Sequence, residues 1–200
     1  MGVLIERVGC VEWRPTGDDR FAVLVRAIVG QQLSGHAAWA IYGRLAEQIG
    51  LTPEAVAAAS EGELLGVGLS HRKAEYVHGI ARAVLDGDVD LDALDELPDE
   101  DVVTELTGLR GIGTWSAQMF LLFALGRPDV LVADDLGIRA AAGRLFGLDR
   151  PATAAEVRTA GERWKPYRSA ATLYLFRSGG GFPPCVGESP GARRNPGHKA

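Results

Sequence analysis

The chain has 200 residues, 46% of them hydrophobic, and a net charge of −5 at pH 7. That length suits one domain, or two small lobes sharing a cleft, with enough apolar material for a sizeable core. No apolar run approaches the ~20 residues of a membrane helix; "MFLLFAL" (119–125) is among the longest, and acid and base come too early in "MGVLIERVGC" for a secretion signal. The two cysteines, Cys10 and Cys185, form no CxxC pair, and the four histidines are scattered. A reducing cytoplasm is expected, with no disulfide framework and no cysteine or histidine metal centre.

The charge is unevenly distributed. Residues 84–101, "VLDGDVDLDALDELPDED", hold nine acids and no base, and the rest of the chain carries 21 bases against 17 acids. From Arg139 to Arg177 there are eight bases and three acids. This asymmetry permits one basic face for a polyanion and one acidic face turned away.

In chain order the pattern is helical almost throughout. In "FAVLVRAIVGQQ" the apolar residues Phe21, Leu24, Val25 and Ile28 have helix spacing. Ser34 is placed to cap "GHAAWAIYGRLAEQIG", and Thr52 before Pro53 is a cap-then-proline start. Ser70 opens "HRKAEYVHGIARAVLDG", and Pro98 opens "DEDVVTEL". A glycine turn follows, then "TWSAQMFLLFALG", the loop "RPDVLVADD", and helices over roughly 136–147 and 153–164. Pro166 forces a break, and "YRSAATLYLFRS" is the last core helix. "VLV" is too short for a sheet. From Gly179 the Gly/Pro-rich tail (179–200) is expected to be flexible. The expected fold is all-α, with two helical lobes formed by residues 1–178.

The turn "GLRGIG" has a specific physical use. Gly108 can give the preceding helix a positive-φ exit. Gly111 and Gly113 allow a tight turn and leave backbone N–H groups open just before the next helix. Those amides and the positive end of the helix dipole make an anion seat that a phosphate can approach closely. An aspartate before a helix is commonly an N-cap, so one of Asp134 and Asp135 is expected to cap "LGIRAA".

Residues 106–117, "LTGLRGIGTWSA", resemble the helix-hairpin-helix motif of DNA repair glycosylases. "VLVADDLGIRAA" resembles the loop that delivers an aspartate to the active site in the helix-hairpin-helix–GPD signature. "IVGQQLSGHAA", "GLSHRKAEYVHGIARAV" and "ERWKPYRSAATLYLF" look like 3-methyladenine DNA glycosylase II, the AlkA type, and the five blocks stand in the family's order. The chain resembles the short form without an N-terminal β domain.

The resemblance implies roles for individual residues. Gly111, Gly113 and Thr114 would hold a DNA phosphate, with Lys165 and Arg168 as further phosphate contacts. Asp135 would be the catalytic carboxylate, beneath an oxocarbenium-like sugar, with Asp134 a structural neighbour. Family members that also cut the backbone carry a Schiff-base lysine where Trp115 stands here. An indole offers a flat face for a flipped base, and cation–π attraction to a methylated one. Phe176 and Met119 would complete the base pocket; some relatives have a tyrosine at the Met119 position. Gln32, or less favourably Gln31, would be the wedge that fills the gap left by the flipped base. The carbonyls of Thr107, Leu109 and Ile112 would hold a monovalent cation, Na+ or K+.

The implied activity is that of a monomeric, monofunctional glycosylase acting on alkylated bases in double-stranded DNA. No cofactor is expected, nor an iron–sulfur cluster, which needs four cysteines. The alternatives are a glycosylase-lyase, which Trp115 opposes, or a mismatch adenine glycosylase, relatives in which that cluster is common, and a non-catalytic DNA-binding module. Asp135 opposes the latter, because phosphate binding gains nothing from an anion.

Overall fold

Side chains that accept from an otherwise unpaired N–H stand at most of the helix starts. Ser34, Thr52, Ser60, Ser70 and Thr153 each accept from the backbone N–H three residues on, as helix N-termini require. A computed structural model describes residues 1–11 and 20–179, and among these the regular structure is entirely helical. The helices are α1 (Gly2–Val8), α2 (Arg20–Gly30), α3 (Gly35–Gln48), α4 (Pro53–Ala58), α5 (Glu61–Gly66) and α6 (His71–Leu85). They continue as α7 (Asp99–Thr107), α8 (Thr114–Phe123), α9 (Leu136–Phe146), α10 (Ala154–Gly161) and α11 (Arg168–Gly179). Helices α1 and α5 were not anticipated, although "SEGE" at 60–63 spells a capping box whose two halves both form. Helix α11 runs through Gly179, so the expected tail boundary is one residue early; the rest of the tail and Cys185 lie outside the described residues.

Two groups of helices form. Helix α2 packs on α3, α6 and α8, α7 on α8, and α4 and α5 on α6; α9 packs on α10 and α11, and α1 on α11. Helix α8 lies between neighbours and is apolar nearly all round, as a central helix must be. Its Phe120, Leu122 and Phe123 are essentially inaccessible.

The basic face expected from residues 139–177 is largely neutralised within the fold. Arg150 pairs with Glu156 at 2.8 Å, Arg158 with Asp134, Lys165 with Glu162 at 2.9 Å, and Arg168 with Asp129 at 2.7 Å. Arg139 donates to the Ala152 carbonyl at 2.9 Å, and Arg144 to that of Ser178 at 3.2 Å. The acidic stretch is likewise held, by Arg20 against Asp92 and Asp95 and by Arg127 against Asp99.

Glu156 closes the capping box of α10 while accepting from Arg150, whose guanidinium first and the Thr153 N–H second lower its pKa from 4.5 to about 2. A depressed carboxylate stabilises the fold above its unfolded pKa and loses that contribution as pH falls through the folded value. Glu156→Gln should therefore flatten the acid limb of a stability–pH curve between about 4.5 and about 2. Chemical denaturation across that range reads it.

Candidate active site

The glycine turn between α7 and α8 differs from the sequence expectation in its details. Gly108 leaves α7 at φ −65, in the ordinary right-handed region, so it does not supply the exit. The positive φ comes three residues later, at Gly111 (φ 97), where only glycine is unstrained. A Cβ on Gly111 would also run into the Tyr76 ring of α6. Gly113 is the N-cap of α8 at φ −106, makes no side-chain cap, and would place a Cβ in open space. The first-turn N–H groups of α8 thus have no capping side chain in front of them, and Thr114 beside them is exposed.

One side chain from a distant segment fixes this turn, and a second braces the segment that carries it. Gln31, at the end of α2, donates through Nε2 to the Gly111 carbonyl at 2.9 Å and the Ser116 hydroxyl at 3.1 Å. Lys73 donates to the Val29 carbonyl at 2.7 Å and the Gln31 carbonyl at 2.8 Å, at the negative end of the α2 dipole; burial lowers its pKa. Gln31 is therefore a strut under the turn. Gln32 turns outward, exposed, and has φ 56. It is the one non-glycine residue with positive φ among the described residues. Such strain persists where the surrounding structure holds a residue in a set direction.

The loop before α9 is anchored on α11. The Val130 N–H donates to the Ser169 hydroxyl and the Thr172 hydroxyl to the Val130 carbonyl, both at 2.9 Å. Arg168 holds Asp129 with two bonds, at 2.7 and 2.9 Å, and lowers its pKa through them. Arg168 is a loop clamp and Lys165 is engaged with Glu162, so neither lines the cleft. Each engages a carboxylate within its reach.

The anchored loop ends at Asp135, the N-cap of α9, whose Oδ1 accepts the Ile138 N–H at 2.8 Å. Its Oδ2 accepts the Trp115 indole N–H at 3.0 Å. Asp134 pairs with Arg158. Asp135, Trp115, Met119, Phe176, Gly113 and Gln32 all line one cleft of about 910 Å³ between the two helix groups. The cleft also contains residues the sequence reading passed over. Leu136 (76% exposed) and Leu33 (41% exposed) stand beside Asp135 and Gln32. Arg26 lies over the Phe123 ring at 4.9 Å, and burial lowers its pKa. A charge inside the apolar run "FAVLVRAIVG" was the available signal for it.

The chain belongs to the HhH-GPD superfamily of base excision DNA repair proteins, whose family model matches residues 25–166. It is 32% identical over 187 residues to the Escherichia coli DNA-3-methyladenine glycosylase 2, covering 88% of this chain and 61% of that one. It is 33% identical over 164 residues to Bacillus subtilis YfjP, covering 78% of this chain and 57% of that one. The chain thus spans less than two thirds of these two relatives. Among solved structures, the Schizosaccharomyces pombe 3-methyladenine DNA glycosylase in complex with abasic DNA superposes with a TM-score of 0.83. Identity there is 32%, over 88% of this chain and 89% of that one. Among the described residues no helix is long and apolar enough to cross a membrane.

Proposed function

We propose that the protein is a monofunctional DNA glycosylase that excises alkylated bases, 3-methyladenine among them, from double-stranded DNA. The observation that carries this reading is Asp135, held at both oxygens on the cleft wall beside Trp115. Breaking the N-glycosidic bond of an alkylated base leaves a neutral base and a cationic sugar. The base already bears positive charge, so it departs with little acid help, and one carboxylate suffices to stabilise the sugar and orient water. The names of the relatives favour alkylated bases as substrates. The Trp115 side chain has no amine to form a Schiff base. One chain supplies every residue of the site, so a monomer suffices.

In this reading DNA lies over the uncapped start of α8. The Thr114–Ser116 amides take a phosphate without reading sequence, and Gln32 enters the base stack. The carbonyls of Thr107, Leu109 and Ile112 suit a monovalent cation; Leu109 O already accepts the Ile112 N–H at 3.1 Å and keeps a second lone pair.

Incubation with methylated duplex should release free base and leave abasic sites without strand cleavage, and borohydride should trap no covalent protein–DNA adduct. A trapped adduct would transfer the protein to the lyase class. Gln32→Ala should weaken binding to lesion duplex more than to a lesion single strand, because only a duplex has a hole to fill once the base leaves the stack. Equal losses on the two substrates in a binding titration would remove Gln32 from the wedge role.

A further inference from the structure

We propose that the Trp115 indole N–H positions the Asp135 carboxylate, so that one side chain both lines the base cleft and fixes the charge beneath the sugar. This rests on the reading of Asp135 given above. A carboxylate on a short side chain has two torsions, and its charge acts well only in one orientation. Here each oxygen has its own donor. Oδ1 takes the Ile138 N–H at 2.8 Å, which fixes it to the start of α9. Oδ2 takes the Trp115 Nε1–H at 3.0 Å, a bond from a separate helix. Both are hydrogen bonds to an ionised acceptor, the stronger kind. Gly137 completes the cradle: a Cβ there would stand 3.1 Å from Oδ1.

The indole is itself braced. Its far edge abuts α2 at Gly30, where a Cβ would meet Cη2 at 3.7 Å. Trp115 therefore spans the cleft wall from the end of α2 to the start of α9, lining the cleft while its N–H turns to the carboxylate. Stacking a base uses the face and needs no N–H. Holding Asp135 needs the N–H and no face. Phenylalanine at this position would keep the first property and lose the second.

Two abasic-site analogues separate these roles, because neither carries a base to stack. One is tetrahydrofuran, neutral; the other is a pyrrolidine whose ring nitrogen is cationic at neutral pH. The ratio of their affinities in duplex DNA reads how well the carboxylate faces a positive sugar. Wild type should prefer the pyrrolidine. Trp115→Phe should cut that preference by about 10-fold or more, as expected for losing one hydrogen bond to a charged group, while tetrahydrofuran binding is retained. A second variant, with benzothienylalanine at position 115, replaces the N–H by sulfur at nearly constant shape and should behave alike; it serves if the phenylalanine variant does not fold. A wild-type ratio in the variants, with Asp135→Asn reducing it, overturns the positioning role and leaves Trp115 a stacking surface. A wild-type ratio in Asp135→Asn itself overturns the assignment of Asp135, and the positioning role with it.

Discussion

Asp135→Asn should lower base excision by ~10²–10³-fold while leaving binding to tetrahydrofuran-containing duplex near normal. The amide has the shape of the carboxylate, and its oxygen can still accept one of the two present bonds, from Ile138 or Trp115. What it lacks is the negative charge that balances the cationic sugar. Single-turnover excision of a methylated duplex, alongside a binding titration with the abasic analogue, separates the two effects. Turnover close to wild type would end the case for Asp135. Asp134→Asn is the natural control. It removes only the exposed pair with Arg158, and exposed pairs contribute about 0–1 kcal/mol, so excision should persist.

The two glycines of the turn should respond very differently to alanine. Gly111→Ala meets the Tyr76 ring and a φ of 97 at once. Overpacking and backbone strain together should cost roughly 2–5 kcal/mol of stability, visible as a lowered denaturation midpoint before any DNA is added. Gly113→Ala meets nothing within 4 Å and has an ordinary φ, so the variant should fold. Its methyl group stands at the uncapped end of α8, where a phosphate would approach the amides. Affinity should fall about equally for lesion and undamaged duplex, since a phosphate contact reads no base. Amide dipoles release no counterion of their own, so the slope of log affinity against log salt should stay nearly constant. Loss of a lysine or arginine from a phosphate would lower it by ~1. Wild-type affinity in Gly113→Ala would reduce "GLRGIG" to a connector.

These contrasts show how far local sequence reaches. The caps Ser34, Thr52 and Ser70 were legible because a cap and its partner lie three residues apart, and nothing remote has to be known. The same holds for the expectation that Asp134 or Asp135 caps α9; the cap proves to be Asp135. The turn was legible from its glycines, but the division of labour among them was not. Gly111 is held to glycine by Tyr76, 35 residues earlier, and Gly108 is an ordinary helix end.

The amino-acid sequence by itself determined an all-helical chain, its glycine turn and the aspartate-bearing loop, because capping, helix spacing and φ preference are properties of a few consecutive residues. Tertiary structure decided which polar side chains remain available to a ligand. Gln31 is taken by Gly111, 80 residues away, which leaves Gln32 to face outward. Arg168 is taken by Asp129, 39 residues away, and the expected basic face is neutralised in the same manner. Trp115 reaches the Asp135 carboxylate from another helix, 20 residues away. A buried or half-buried polar group binds whatever partner packing brings within about 3 Å. That partner is chosen by how the helices cross, which no short stretch of chain encodes.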